Sequence, residues 1–162
     1  MTNNRDDAIP VSDAASARLQ VRAGFCTERG ERERNEDYAG VMIEGPRRRA
    51  RFGVVAAIAD GVGGAKGGRV AAELAVRGFI DGELGRDDML GVRDGAVRIV
   101  EALNRWIHAI GAVDAALEGM CCTFTALVMR GRQAHVVHVG DTRLYRLRDD
   151  RLRTRHTPTG LR

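Results

Sequence analysis

The sequence predicts an α+β fold in which helices pack on antiparallel β-sheet. Three observations lead to this prediction: strand-like runs come first, two stretches with helical periodicity follow, and alternating strand-like segments come last. A length of 162 residues fits one domain with a core of its own. No segment approaches the roughly 18 apolar residues of a membrane span. The N-terminal residues also lack the apolar centre of a signal peptide, so we expect a cytoplasmic protein.

Three strand-like segments precede the predicted helices. We predict a first strand at residues 20–26, a second at 38–43 and a third at 52–59. The third strand contains six consecutive apolar residues at 54–59, a pattern typical of a strand buried on both faces. Asp60 follows this run directly, so the sequence predicts a carboxylate at the end of a buried strand.

Two helices and a set of paired strands make up the rest of the pattern. Apolar residues recur at three- and four-residue steps from Val70 to Phe79, and again from Ala96 to Ile110. The glycines at 82–85 end the first of these helices. Further strands, joined by short polar turns, are predicted at residues 123–129, 134–139 and 144–147.

The positive charge of the chain does not indicate a nucleic-acid partner. The net charge is +4, and all but one of the 26 basic residues are Arg, the exception being Lys66. The densest basic run, residues 46–51, lies between two predicted strands and is typical of a solvated loop. Aromatic residues make up 4% of the chain and do not alternate with basic ones, so base stacking is not favoured. We therefore predict neither a nucleic-acid nor a membrane partner.

Two acidic clusters and an arginine form the candidate site. Asp60 opens a glycine-rich stretch, and Glu36 and Asp37 follow shortly after Arg32. Mg²⁺ and Mn²⁺ prefer carboxylate, carbonyl and water oxygens, and Gly61 lets a ligand approach the main chain. The guanidinium of an arginine binds phosphate oxygens with two parallel hydrogen bonds. The combination predicts a divalent-metal site that handles phosphate.

The glycine-rich stretch fits two nucleotide-binding patterns poorly. A nucleotide P-loop needs a hydroxyl after its lysine, but Lys66 is followed by Gly67. The dinucleotide fingerprint fails as well, because Lys66 stands at the sixth position from Gly61, where that pattern needs glycine. Asp60 alone would also serve as the cap of the following helix, and the upstream acids alone as turn residues. These simpler roles stay open for each residue taken singly.

Three segments of the chain together resemble one family. They read Arg-Glu-Arg-Asn-Glu-Asp at 32–37, Ala-Asp-Gly-Val-Gly-Gly at 59–64 and Val-Gly-Asp-Thr-Arg-Leu-Tyr at 139–145. In this order they resemble the metal-dependent serine/threonine protein phosphatases of the PP2C (PPM) class, bacterial type. The resemblance implies a sandwich of two antiparallel β-sheets flanked by helices, in the layer order α-β-β-α. Here it would be truncated after the central meander.

The resemblance also implies a division of the chain and roles for single residues. A flexible arm at 1–18 would precede a partial phosphatase domain at 19–157, followed by a non-matching tail at 158–162. The family site holds two Mn²⁺ or Mg²⁺ ions. By motif, the metal ligands are the bridging carboxylate of Asp60, the carbonyl of Gly61 and the carboxylate of Glu36. Asp37 would lie beside them without binding metal directly, Arg32 would bind the substrate phosphate, and Asp141 would hold a structural turn. Val62 stands where animal members have His.

The function implied is metal-dependent hydrolysis of phosphoserine and phosphothreonine. The partner would be a phosphorylated protein, such as a bacterial Ser/Thr kinase or one of its targets. Two later aspartates of the family have no counterpart here, so we expect weak or no activity from the 162-residue chain. The alternative is a non-catalytic phosphoprotein-binding regulator, or a remnant of a longer phosphatase/kinase protein. Uncovered sheet edges would favour self-association.

Overall fold

The structure is a computed structural model, which describes residues 21–43, 52–62, 67–86 and 91–154. Four predictions fall outside these residues: the arm at 1–18, the basic run at 46–51, Lys66 and the tail at 158–162. In the described part, none of the helices is long and apolar enough to cross a membrane.

Four strands form one antiparallel sheet, and two more form a separate hairpin. The sheet consists of β1 (Asp37–Ile43), β2 (Val54–Asp60), β3 (Phe124–Arg130) and β4 (Gln133–Val139), in that spatial order. The hairpin consists of β5 (Tyr145–Arg148) and β6 (Arg151–Thr154). Asp149 and Asp150 connect its strands with positive φ angles of 50° and 55°, as a two-residue hairpin turn requires.

Two helices cover one face of the sheet. Helix α1 (Gly68–Gly85) lies against β1 and β2, and α2 (Val92–Val113) packs mainly on α1. Glycines permit the close approach between the layers. A Cβ at Gly40 of β1 would lie 2.8 Å from Val76 of α1, and a Cβ at Gly82 would lie 2.9 Å from Ile99 of α2. The small side chains therefore set the distance at which these elements pack.

The core lies between the sheet and α1. Its largest fully buried side chain is Phe79 of α1, whose ring centroid lies 5.2 Å from that of Phe124 on β3. Alternate residues of β2 and β3 point into this layer, including Val55 and Val128, neither of which is exposed. Val55 and Val128 are direct partners in the pairing of β2 with β3. Burial of this face therefore fixes the register of the sheet.

One ion pair is buried beneath the helices. Glu83 of α1 is 1% exposed, and its Oε2 accepts a hydrogen bond of 3.3 Å from Nε of Arg86. Burial raises the pKa of Glu83, while the charge of Arg86 opposes that rise. Gly95 of α2 leaves room for the Arg86 side chain, because a Cβ there would collide with it. The Arg86 side chain thus lies between the C-terminal end of α1 and the start of α2.

The predicted fold class, α+β with antiparallel sheet and helices, is confirmed. Both predicted helices and the strands at 38–43, 52–59, 123–129, 134–139 and 144–147 are present, and the strand ends differ from the prediction by at most two residues. The predicted strand at 20–26 is wrong for its described part, since residues 21–26 have no regular secondary structure. Residues 23–25 instead line an apolar recess together with residues of β1 and β2. Strand β6 was not predicted.

Replacing Gly53 by Ala is expected to lower the free energy of unfolding by about 2–4 kcal/mol. Gly53 has φ +80°, and a Cβ there would collide with the carbonyl oxygen of Met129 on the neighbouring strand. Urea unfolding followed by circular dichroism measures the loss. The control is Gly85→Ala, which meets nothing within 4 Å and should stay within about 1 kcal/mol of the parent. Equal stability of the two variants would contradict the backbone conformation described for Gly53.

Candidate functional site

The sheet register places two carboxylates opposite each other. Strand β1 begins with Asp37 and β2 ends with Asp60, and the antiparallel pairing makes these two residues direct partners. Both side chains therefore leave the same face at the same end of the sheet. Like charges directly opposite each other on neighbouring strands are destabilising. The sheet would be more stable with other residues here, so this pair has to be explained by a ligand or a shared proton.

Main-chain hydrogen bonds hold the end of β2 in place on both sides. The Gly61 N–H donates to the carbonyl oxygen of Glu36 at 3.2 Å, which continues the pairing with the β1 side. On the other side, the Thr123 N–H donates to the carbonyl oxygen of Asp60 at 2.8 Å. The Asp60 N–H in turn donates to the Thr123 hydroxyl at 3.3 Å. Asp60 is thus fixed between two chain segments.

The first turn of α1 lies against the carboxylate of Glu36, the residue before β1. A Cβ at Gly68 would lie 3.1 Å from Oε1 of Glu36, so this carboxylate lies beside the helix N-terminus. Negative charge is favoured there by the helix dipole. Arg69 donates to the main-chain carbonyl of Asp37, and its guanidinium lies 4.7 Å from the centre of the Tyr38 ring. The start of α1 is therefore fastened to the start of β1.

An irregular segment before β1 brings arginine to the site. The Arg32 N–H donates to the carbonyl oxygen of Arg29 at 3.3 Å, which closes a turn. Asn35 joins this segment to the start of β1, because its Oδ1 accepts from the Asp37 N–H at 3.0 Å and its Nδ2 donates to Thr27 at 2.8 Å. The arginines of the turn thereby face the carboxylates at the end of the sheet.

These elements enclose an open recess of about 410 Å³. It brings together every residue that the sequence predicted for the site, Asp141 included. The predicted residues in its lining are Arg32, Glu36, Asp37, Asp60, Gly61, Val62 and Asp141. Five more residues line it that sequence reasoning did not assign to the site: Glu28, Arg29, Arg34, Asn35 and Thr123. Thr123 carried no sequence signal, since it reaches the site only through the pairing of β2 with β3.

The pKa of Asp60 shows that the carboxylates of the recess repel one another. The pKa of Asp60 is raised, first by partial desolvation, then by the charge of Asp37 and a hydrogen bond to it, and then by the charge of Asp141. Arg32 acts in the opposite direction and lowers this pKa. Asp60 therefore holds its negative charge at a cost, and a cation placed among these carboxylates would remove that cost.

The recess offers the kind of ligand that a divalent cation prefers, but it offers few such ligands. Carboxylate oxygens that repel one another are the donors that Mg²⁺ and Mn²⁺ prefer. Among the residues described, however, no three Asp, Glu, His or Cys side chains converge as ligands of a single ion. The donors found in the described part of the chain are therefore of the right chemistry, but too few for a complete protein site.

Comparison with known proteins identifies the same family across most of the chain. The family model described as "Protein phosphatase 2C" matches residues 29–159. The serine/threonine protein phosphatase PstP of Mycobacterium tuberculosis is 36% identical over 143 residues, which make up 85% of this chain and 25% of that protein. The chain thus spans a quarter of the length of this relative.

Solved structures show the same fold. The catalytic domain of the serine/threonine protein phosphatase PstP, in complex with two manganese ions, superposes with a TM-score of 0.62 at 30% identity. The alignment covers 77% of this chain and 50% of that one. The serine/threonine phosphatase Stp1 from Staphylococcus aureus gives a TM-score of 0.72 at 19% identity, over 84% of this chain and 53% of that one. The second likeness supports the fold alone.

Replacing Asp60 by Asn is expected to raise the melting temperature in the presence of a chelator, by a few degrees. The change removes one of the repelling carboxylates, whose pKa is raised by Asp37 and Asp141. The same change should abolish any rise in melting temperature that Mn²⁺ produces in the parent chain. Differential scanning fluorimetry with and without Mn²⁺ measures both effects.

The matched control is Asp81→Asn on the exposed side of α1, which removes the same charge away from the recess. It should leave both melting temperatures close to those of the parent. A Mn²⁺ response that survives in Asp60→Asn, or an equal response of both variants, would rule out Asp60 as a metal ligand.

Proposed function

Because the chain belongs to the protein phosphatase 2C family, we propose that it acts on phosphoserine and phosphothreonine in proteins by metal-dependent hydrolysis. The observation that carries the proposal is the recess itself, where Arg32 faces the carboxylates of Asp37, Asp60 and Asp141. The relatives supply the second support, since they are named serine/threonine phosphatases. Hydrolysis of a phosphate ester is the reaction that this combination of groups serves.

The charges of the recess explain why a metal is needed. Its lining contains five carboxylates, from Glu28, Glu36, Asp37, Asp60 and Asp141, against three arginines. A phosphate dianion would be repelled by this surplus of negative charge. A divalent cation cancels this surplus, and when bound it would polarise the phosphoryl oxygens and lower the pKa of water.

Each residue has a role in this proposal. Asp60, Glu36 and the carbonyl of Gly61 would hold the metal, and the two hydrogen bonds between Thr123 and the main chain of Asp60 fix the position of the first of them. Arg32 binds the phosphate and orients it for in-line attack by water. Asp37 adjusts the charge of Asp60, with which it shares a hydrogen bond. Val62 offers no proton, so this position supplies no general acid.

Asp141 is proposed to act through its charge as well as in its turn. It lines the recess, and its negative charge contributes to the raised pKa of Asp60. It therefore adds to the attraction for a cation. The family resemblance alone had suggested a structural role, and the two roles are compatible because the neighbouring turn at Gly140 packs on Thr123.

Activity of the 162-residue chain is proposed to be weak, because affinity for hard cations follows the number and charge of their ligands. The small number of converging side chains also favours a second candidate function, a regulator that binds phosphoproteins without hydrolysing them. The substrates proposed for either are phosphorylated proteins of a bacterial cytoplasm, such as a Ser/Thr kinase or its targets.

Purified residues 1–162 are expected to hydrolyse a small aryl phosphate slowly in Mn²⁺ and not at all in chelator. Arg32→Ala should lower kcat/KM by about 10- to 100-fold, because it removes a charge-assisted contact to the phosphate. Arg105→Ala is the matched control, since Arg105 is exposed on α2 away from the recess. Turnover that is equal in both variants would contradict the role of Arg32. Binding of a phosphopeptide without turnover would select the regulator.

Self-association is proposed to occur through the edge strands. In the described sheet β1 and β4 are the outer strands, and each has one side without a described partner strand. Val136 of β4 remains 37% exposed on the face opposite the helices, the face that also carries Val41 of β1 and Ile58 of β2 at 36% and 41%. A second copy of the chain would pair with an edge and cover apolar surface of this face.

The chain is therefore expected to have a mass above its 17.6 kDa in light scattering at micromolar concentration. Val136→Lys should shift it toward the monomer, because a lysine on an edge strand opposes pairing. Val113→Lys is the control, since Val113 is 87% exposed at the end of α2. A monomeric parent chain, or an equal shift in both variants, would contradict association through the sheet.

A further inference from the structure

Thr125 of β3 is a buried polar side chain on the sheet face opposite the helices. It is only 3% exposed, whereas Ile58, its direct partner on β2, is 41% exposed on the same face. The chain that follows β4 explains the difference. The hydroxyl of Thr142 contacts Thr125, and residues 143 and 144 line an apolar recess together with it. Thr125 therefore lies where the turn after β4 meets the sheet.

The Thr125 hydroxyl has two hydrogen-bond partners. Its Oγ1 lies 2.8 Å from Nδ1 of His138, the residue directly opposite on β4, and 2.5 Å from Oγ1 of Thr142. A hydroxyl has one hydrogen to donate and two lone pairs, so it can donate to one partner and accept from the other. Buried side-chain networks of this kind hold their members in one arrangement. The network therefore joins Thr142 to β3.

Thr142 directly follows Asp141, whose carboxylate lines the candidate site. On the other side of Asp141, Gly140 packs on Thr123, since a Cβ at Gly140 would lie 2.7 Å from the Thr123 side chain. Thr123 also makes two hydrogen bonds with the main chain of Asp60. One short segment around the start of β3 thus contacts both neighbours of Asp141 and holds Asp60 as well.

We infer that Thr125 is a positioning residue that acts through Thr142 to set the place of the Asp141 carboxylate relative to Asp60. The inference rests on the proposed function and gives a task to a side chain outside the site, because the described lining of the recess includes Thr123 but not Thr125. Asp141 and Asp60 repel each other, so the turn would relax outward if the two hydroxyls did not bond. A cation in the recess would then lose a nearby negative charge.

A general structural role of Thr125 would differ from this task in one measurable respect. General loosening of the sheet would weaken cation binding whether or not Asp141 carries a charge. Loss of the inferred contact would weaken only the contribution that Asp141 makes. A double-mutant cycle separates the two cases, because changes that act through one shared contact are not additive.

The test measures the affinity of the full chain for Mn²⁺ by electron paramagnetic resonance of the free ion. Asp141→Asn should weaken binding by about tenfold, because it removes a negative charge beside the cation. Thr125→Val removes the hydroxyl but keeps a β-branched side chain, and it should weaken binding by about three- to fivefold. The chain with both changes should bind no more weakly than Asp141→Asn alone.

Three further variants make the cycle decisive. Thr125→Ser retains the hydroxyl and should bind Mn²⁺ as the parent chain does. Thr154→Val is the matched control, because it removes a hydroxyl from the exposed end of β6 and should have no effect. Circular dichroism checks the folding of every variant. If Thr125→Val does not fold, Thr142→Val removes the same contact from the turn and takes its place in the cycle.

Unchanged binding in Thr125→Val would overturn the inference and leave the proposed metal site in place, and so would a loss of the same size with and without Asp141→Asn. If the parent chain binds no Mn²⁺, the proposed function fails, and hydrogen–deuterium exchange of residues 140–144 decides the inference. Exchange about tenfold faster in Thr125→Val and unchanged in Thr125→Ser supports it. Equal exchange in all three chains contradicts it.

Discussion

The pairing of Asp37 with Asp60 across the first two strands is the constraint on which the site depends. The register follows from burial of the face beneath α1, where Val55 meets Val128 across β2 and β3. A shift by one residue would expose that face, so the two carboxylates cannot separate without loss of the core. The stability of the core thereby holds together two charges that repel. The pKa of Asp60 is raised by partial desolvation and by this repulsion from Asp37.

Helix α1 connects the buried core to the candidate site. Its middle is fixed by Val76 and Phe79, neither of which is exposed, and its first turn meets the site. Gly61 and Gly68 lie so close that a Cβ at Gly61 would collide with the main chain of Gly68. Substitution at Gly61 would therefore displace the helix start and, with it, Arg69 on the carbonyl of Asp37. The packing of α1 therefore positions the carboxylates as much as the pairing of the strands does.

Much of this arrangement could be predicted from the sequence because it depends on local pattern. The apolar run before Asp60 and the helical periods follow directly from side-chain spacing. The strand predicted at 20–26 failed because its apolar residues suggest burial but not in which form. Phe25 is 72% exposed and residues 21–26 have no regular secondary structure, so this segment does not join the sheet as a strand. Thr123 could not be found, since its contact with Asp60 spans 63 positions in the chain.

The number of ligands decides how the recess is used. The recess brings together carboxylates, a main-chain turn and arginines, the groups through which the proposed function would attract a phosphate accompanied by a cation. Hydrolysis needs more, because the cation must be held firmly enough to stay fixed while charge develops on the phosphoryl oxygens. With fewer than three converging side chains in the described part, binding tolerates a loosely held ion and turnover does not. Within the proposed function, binding of phosphorylated segments therefore depends least on further ligands, and hydrolysis depends most on them.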